Sequence, residues 1–401
     1  MPLDGKLGVF VLGALTRWPG KTNQVAPEPD LDRRRLPLDD EGLVALECRG
    51  LVKRFGNVPA VDGLDLTVPP GWVLALLGPS GCGKTTALRL IAGFEEPDAG
   101  AITLGGRLVC GPGKNVPPEK RWVGMVFQEG ALFPHLTVEQ NISYGLPRVH
   151  RRNGKTEEVL ALVGLSGLGH RMPHELSGGQ QQRVALGRAL APEPEVLLLD
   201  EPFSNLDPKL REQVRHDVMQ IVRASGATAI FVTHDQEEAL FVGDIVAVMN
   251  QGCVLQVGSP EDIFHSPASR FVAQFIGTVD FLPAWRAGDK LMTEVGSADW
   301  PFPTDPALAV GVAGAATVQD LEVMVRPDCL DCRPSEQGGG VITEREFRGA
   351  FYLYRVTLPS GHSVRCLASH TTGYPVGQLV EVSLRPGHSL RPFIDQRAAG
   401  C

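Results

Sequence analysis

Two glycine-bearing segments carry the chemistry of this chain. Gly78-Pro79-Ser80-Gly81-Cys82-Gly83-Lys84-Thr85 has the spacing G-x-x-x-x-G-K-T. Glycines in such a loop let backbone N–H groups wrap a phosphate with no side chain in the way. Lys84 is then placed to reach terminal phosphates, and the Thr85 hydroxyl, ahead of Thr86, to help hold Mg²⁺. The second segment is Leu176-Ser177-Gly178-Gly179-Gln180. Ser177 is a good helix N-cap, and Gln180 three residues on completes an S-x-x-Q capping box. The glycine pair leaves backbone N–H groups open to a polyanion at the positive end of the helix dipole. Both segments are built to recognise phosphate.

Two further positions extend the chemistry. Val196-Leu197-Leu198-Leu199 ends in Asp200-Glu201, and Thr228-Ala229-Ile230-Phe231-Val232-Thr233 ends in His234. Asp200 is placed to hold Mg²⁺, directly or through water, and Glu201 to orient and deprotonate an attacking water. The plainer reading is that Asp200-Glu201 caps the next element, and that His234 is structural. Together with the two phosphate segments, the carboxylates read as a hydrolytic pair and His234 as a sensor of the γ-phosphate.

These residues need elements that bring them to one edge. Trp72 to Leu77, Val196 to Leu199 and Thr228 to Thr233 are short apolar runs of the kind that form buried parallel strands. Helices are predicted from Thr85 to Ala92, stopped by Gly93, from Gln181 to Ala191 with Leu186 and Leu190 as a core stripe, and after Asp235 as N-cap. Ligands of open parallel sheets bind at the carboxyl edge, where all these motifs emerge. The fold class expected is α/β.

From about Leu46 to about Gly277 the chain resembles the ATP-hydrolysing subunits of ATP-binding-cassette transporters, with the motifs in the family's order. The resemblance implies a P-loop NTPase cassette with a helical subdomain over about 129–190 that docks on membrane subunits. It implies that Gly78, Pro79, Ser80, Gly81, Cys82, Gly83, Lys84, Thr85 and Thr86 bind ATP and that Thr85, Gln128 and Asp200 meet Mg²⁺. Glu201, His234 and Gln128 would serve catalysis, Gln128 also sensing the transmembrane partner. Phe55 occupies the position that stacks on adenine, where the family often has tyrosine; stacking uses the ring face, so the missing hydroxyl is tolerable. Ser204-Asn205-Leu206-Asp207 is the segment that crosses a dimer interface. In the family, two subunits sandwich two ATP molecules head to tail, with Ser177, Gly178, Gly179 and Gln180 of one subunit closing the site of the other. A homodimer, transmembrane permease subunits, an extracytoplasmic solute-binding protein and a place at the cytoplasmic face of the inner membrane follow by the same resemblance. A phosphate-loop kinase or GTPase would not need Leu176 to Gln180. A non-transport cassette ATPase would usually carry two cassettes or a long coiled-coil insertion, neither of which is present.

Length and composition agree with this reading. A chain of 401 residues exceeds one typical core. The net charge is −8, from 38 basic and 46 acidic residues, with no run of about five or six like charges, so nothing points to nucleic acid or an anionic membrane surface. No stretch approaches the roughly 18 apolar residues needed to span a bilayer, so other chains would supply a pore. Most of the eight cysteines read as free thiols of a reducing compartment. Cys329-x-x-Cys332, between Pro327 and Pro334, reads as ordinary loop, with metal or redox chemistry as the alternative. Cys82 would be open to alkylation if exposed. His135, His170 and His174 are too scattered to suggest a metal site and read as structural. Residues 1–43, with Pro27, Pro29, Pro37 and the cluster Asp32 to Arg35, read as a disordered extension or a start codon placed too early.

The assigned domains are 44–278 for the nucleotide-binding cassette and 279–401 for a second domain. In the latter, Tyr352, Tyr354, Val356 and Leu358 alternate at period two, Pro359-Ser360-Gly361 supplies a turn, and Val364, Cys366 and Val380 to Leu384 continue the pattern. A small all-β barrel is expected. Arg326-Pro327-Asp328 and Phe347-Arg348-Gly349 resemble the oligonucleotide-binding-type regulatory domain of the sugar, polyamine, sulfate and ferric-iron importer ATPases. It lacks a basic stripe, which favours dimerisation and regulation over nucleic acid. Gln128 to Val138 and Arg171 to Ser177 most resemble the ferric-iron type, with polyamine, sulfate, phosphonate and sugar importers as the alternatives.

Overall fold

The computed structural model describes residues 44–128, 132–147, 154–204, 206–299, 321–388, 390–394 and 397–398. The N-terminal extension, Glu129-Gly130-Ala131 and Asn205 lie outside the described residues. The chain forms two compact units, one ending at Pro260 and the other beginning at Glu261.

The first unit holds two sheets. In chain order its strands are β1 (Leu46–Phe55), β2 (Val58–Val68), β3 (Val73–Leu77), β4 (Ala99–Leu104), β5 (Arg107–Gly111), β6 (Lys114–Asn115), β7 (Val123–Val126), β8 (Val196–Asp200), β9 (Thr228–Thr233), β10 (Ile245–Asn250) and β11 (Cys253–Gly258). The six-stranded sheet has the order β11-β10-β3-β9-β8-β7, parallel throughout except for the antiparallel edge β11. The apolar runs read from sequence are its central strands, and every residue of β3 and β9 is buried, as expected of strands covered on both faces. The other sheet, β2-β1-β4-β5-β6, is antiparallel. Leu46, Leu51 and Leu64 from it pack with Leu74, Leu76 and Leu198 of the parallel sheet and with Leu88, Leu90 and Ile91 of the helix Lys84–Ala92 in one core.

That helix ends at Gly93 in the left-handed conformation, as anticipated. What holds its end was not anticipated. Arg121 is fully buried, and its Nη1 donates to the carbonyls of Leu90 at 2.7 Å and Ile91 at 3.0 Å. Its Nε donates to Val116 O and its Nη2 to Asn115 Oδ1. The guanidinium gives the Ile91 carbonyl a donor, adds a second donor to that of Leu90, which also accepts from Gly93 N–H at 3.2 Å, and meets the negative end of the helix dipole. A Cβ at Gly93 would lie 2.5 Å from Arg121 Nε, so the glycine makes room for the arginine.

Past the helix Pro260–His265, which starts at the boundary, the described residues of the second unit form the helix Arg270–Ile276 and the strands β12 (Asp280–Ala287), β13 (Lys290–Thr293), β14 (Gly296–Asp299), β15 (Glu322–Val325), β16 (Leu330–Pro334), β17 (Gly340–Phe347), β18 (Phe351–Thr357), β19 (Ser363–Ser369), β20 (Leu379–Leu384), β21 (Arg391–Ile394) and β22 (Arg397–Ala398). They form two sheets, β14-β13-β12-β15-β21-β22 and β16-β20-β17-β18-β19, over one core that includes Tyr354, Val356, Val364 and Cys366. The period-two pattern therefore placed its apolar face correctly. Cys332 corrects the loop reading of Cys329-x-x-Cys332: it lies in β16 opposite Val382 and is buried, while Cys329 ends a 3₁₀ turn over Pro327–Cys329.

Replacing Arg121 by Met removes the side-chain donors to the Ile91, Leu90 and Val116 carbonyls, of which Leu90 keeps its bond from Gly93 N–H. Arg121→Met is expected to cost about 3 kcal/mol of stability, read as an earlier urea midpoint of the first unit. An unchanged midpoint would show that the guanidinium is not what secures the helix.

Candidate functional site

The site lies along the carboxyl edge of the parallel sheet. Gly78 to Gly83 follow β3, and the positions of two glycines show why that residue type is needed. A Cβ at Gly78 would stand 2.3 Å from the Met249 carbonyl oxygen, and one at Gly83 2.0 Å from that of Ala60. Gly83 also has φ +109, a value that side chains rarely permit. The loop is held further by Gly252, whose N–H donates to Cys82 O at 2.9 Å. Ser80 and Gly81 are exposed at its crest, Pro79 is partly covered, and Thr85 and Thr86 open the helix below it.

Lys84 is only 4% exposed, and its ammonium donates to the carbonyls of Gly78 at 2.8 Å and Pro79 at 2.9 Å. Among the described residues it forms no salt bridge. A buried cation whose close partners are neutral carbonyls, in a cradle too tight for a Cβ, suits an anionic ligand. Thr85 Oγ1 donates to Asp200 Oδ1 at 3.2 Å, so β8 and the phosphate loop bring together the two hard oxygen donors expected for Mg²⁺. Burial pushes the Asp200 carboxyl above the ordinary aspartate range; the Thr85 hydrogen bond works against this and the neighbouring Glu201 adds to it. The residues present fit a nucleotide polyphosphate with its divalent ion.

Glu201 and His234 also meet. Asp200 lies opposite Val232 in the register of β8 and β9, which brings the residues after each strand side by side. The His234 Nδ1 stands 3.1 Å from Glu201 Oε2, with the Glu201 side chain largely covered and that of His234 half exposed. Glu201 has φ +44, which glycine takes readily and glutamate seldom does. It is fixed there because its N–H donates to Val232 O while its own carbonyl accepts from the N–H and the hydroxyl of Ser204. Strain of this kind persists where surrounding bonds overdetermine the backbone.

A residue not singled out from the sequence supports His234. Glu238 is buried, and its carboxyl accepts from the Thr233 hydroxyl at 2.7 Å. The same hydroxyl oxygen accepts from Asp235 N–H, and Asp235 caps the helix Gln236–Val242 by accepting from Glu238 N–H. The backbone on both sides of His234 is thereby tied down. Burial raises the Glu238 carboxyl, with the Thr233 bond opposing. The acidic pair Glu237-Glu238 is ordinary for a first helical turn, so only the fold distinguishes the two.

Ser177 to Gln180 form the expected N-terminus: Ser177 Oγ accepts from Gln180 N–H while Gln180 Oε1 accepts from Ser177 N–H. The helix begins at Gly178, three residues earlier than read, and continues to Leu190. Gly179 packs so closely that a Cβ would lie 2.8 Å from Val214 of the helix Pro208–Ser225. Ser177 and Gly178 are exposed, and among the described residues no hydrogen bond or ion pair joins 177–180 to 78–86. Asp207 caps the helix Pro208–Ser225 through Leu210 N–H. Gln128 is exposed just beyond β7, next to β8 at the same edge. Phe55, 51% exposed at the end of β1, presents its ring with the Lys53 ammonium 5.5 Å from its centroid. Cys82 is buried, and burial pushes its thiol up, so the exposure on which its alkylation was made to depend is not met. The scattered His135, His170 and His174 form no metal cluster among the described residues.

A phosphate-loop nucleoside triphosphatase is the class that this fold and edge define. Residues 61–204 match the family described as ABC transporter, and residues 323–390 match the TOBE domain. The chain is 43% identical over 325 residues to the Fe(3+) ions import ATP-binding protein FbpC of Brucella suis, covering 78% of this chain and 87% of that protein. It is 45% identical over 316 residues to FbpC 1 of Rhodococcus jostii, covering 78% and 88%, and 49% identical over 252 residues to FbpC of Agrobacterium fabrum, covering 61% and 70%. Among solved structures, cbiO1 of Clostridium perfringens, part of the ABC transporter complex cbiONQ, superposes with a TM-score of 0.51 at 28% identity, covering 58% of this chain and 93% of that one. The chain belongs to the ATP-binding subunits of ABC transporters. No helix among the described residues is long and apolar enough to cross a membrane.

The raised Asp200 carboxyl has a stability consequence. Its folded form holds its proton to higher pH than the unfolded chain does, so ionisation penalises the folded state at neutral pH, and the penalty fades as pH falls through that raised range and the ordinary aspartate range. Asp200→Asn is therefore expected to raise the thermal midpoint of the nucleotide-free protein at pH 7 while abolishing hydrolysis. The gain should vanish in acid; a lowered midpoint at pH 7 would contradict the burial argument.

Proposed function

We propose that this chain is the ATP-hydrolysing subunit of a binding-protein-dependent importer of ferric iron. In this reading it works as a homodimer on transmembrane permease subunits at the cytoplasmic face of the inner membrane. Residues 44–278 are its nucleotide-binding domain, 129–190 the subdomain that docks on the permease, and 279–401 a regulatory and dimerisation domain. The cargo comes from the names of relatives that match over most of their length. The observation that carries the mechanism is the separation, within one chain, of two phosphate-recognising elements, each well formed and one exposed.

Bound Mg-ATP supplies the phosphoanhydride bond and, in Mg²⁺, a counter-charge for the phosphates. The loop N–H groups of Gly78 to Gly83 and the Lys84 ammonium hold the polyphosphate, Thr85 and Asp200 hold the ion with help from Gln128, and Phe55 offers a ring face to the base. Glu201 orients a water and accepts its proton. His234 keeps the Glu201 carboxylate aimed, which the 3.1 Å contact supports, and itself faces the terminal phosphate. Ser177, Gly178, Gly179 and Gln180 of a second copy complete the site, with Asp207 near the crossing. Closure of the pair then passes through Gln128 to the permease, and hydrolysis releases it.

Glu201→Gln keeps every phosphate contact and removes the base. With Mg-ATP it is expected to elute as a dimer in size-exclusion chromatography while turnover falls by about 10²–10⁴-fold. A monomer at saturating nucleotide would overturn the sandwich, and turnover near that of wild type would overturn the role of Glu201.

A further inference from the structure

The second unit carries a side-chain cluster that the ATPase reading leaves unused. Asp328 and Cys329 sit on the 3₁₀ turn Pro327–Cys329, and His388 lies in the turn after β20. One ligand atom from each, a carboxylate oxygen, the thiol sulfur and an imidazole nitrogen, all lie within 4.8 Å of one another. Donors about 2.0–2.3 Å from a tetrahedral ion stand roughly 3.5 Å apart, so only small side-chain rotations separate this arrangement from coordination.

The backbone holds the two turns together. Arg385 N–H donates to Cys329 O at 2.9 Å, Cys329 N–H to Arg326 O at 3.0 Å, and His388 N–H to Arg385 O at 3.4 Å. Two cations lie nearby, Arg326, whose Nη2 donates to Phe264 O at 2.8 Å, and Arg385, whose Nη2 donates to Leu367 O at 2.7 Å. Among the described residues the Asp328 carboxylate makes no hydrogen bond or salt bridge. Asp328 and Cys329 are partly covered.

We propose that Asp328, Cys329 and His388 form a binding site for a divalent transition-metal ion. A carboxylate, a thiolate and a neutral imidazole together neutralise a doubly charged ion. The mixture of sulfur, nitrogen and oxygen suits Zn²⁺ or Co²⁺ and disfavours Mg²⁺, which takes oxygen ligands. Three protein ligands leave a fourth position for water or an exchangeable group. An occupied site would join the 327–329 turn to the 385–388 turn across nearly sixty residues of chain. The proposal is independent of the ATPase reading.

The test uses the full chain, stripped by chelator and free of nucleotide, titrated with Co²⁺ while thiolate-to-metal charge-transfer absorption is followed, and then with Zn²⁺ in competition. One ion per chain is expected, displaced by Zn²⁺ and not by Mg²⁺. Cys329→Ser and His388→Ala should each weaken binding by about tenfold or more, whereas Cys253→Ser, which removes the other described cysteine that is not buried, should leave it intact. In parallel, Zn²⁺ should protect Cys329 of the unmutated protein from alkylation mapped by mass spectrometry, a readout that needs no variant to fold. Absence of the absorption band, displacement by Mg²⁺, binding that survives both substitutions, or unprotected Cys329 would each overturn the proposal.

Discussion

The wedging of the phosphate loop between two sheets is the constraint on which the first unit depends. Gly78 presses on the Met249 carbonyl of β10 and Gly83 on the Ala60 carbonyl of β2, at distances that leave no room for a Cβ. A relay of backbone bonds closes the wedge: Asp62 N–H donates to Gly252 O, and Gly252 N–H to Cys82 O, both at 2.9 Å. The loop is thereby fixed from the antiparallel sheet on one side and the parallel sheet on the other. Preorganisation of this kind lets N–H groups face a polyanion without reorganising when it arrives. Arg121 completes the arrangement from below, anchoring the far end of the helix that the loop opens.

From that anchor the chemistry follows by register. Parallel pairing sets the ends of β3, β9 and β8 beside one another, so a lysine, a histidine and two carboxylates distant in sequence emerge on one edge. Two of these groups are held against their own preference: Asp200 is partly desolvated and Glu201 adopts a backbone angle unusual for its type. Both costs fall on the residues proposed to meet the ion and the water, where stability is commonly given up for function.

Much of this was legible because the signals were local. The strands β3, β8 and β9 are apolar runs, their motifs follow at fixed offsets, and Ser177 and Asp235 cap helices through their own side chains. Residues whose role depends on a distant partner were not legible. Arg121 looks like an ordinary charge until Leu90 and Ile91 are brought to it, and Glu238 matches its neighbour Glu237 until burial against Thr233 separates them. Cys332 hid between two prolines because its strand is short and pairs with β20 some fifty residues later. His388 carries no local pattern, and only the fold of the second unit brings it to Asp328 and Cys329.

Coupling of this ATP site to the entry of ferric iron is the central claim, and uptake measures it directly. Cells deleted for the gene, complemented with wild type or with Glu201→Gln, would be given radiolabelled ferric iron, with putrescine and sulfate in parallel. Iron uptake restored by wild type alone is the predicted result. Unchanged iron uptake in the deletion strain, with loss of putrescine or sulfate uptake instead, would contradict the assignment of the cargo.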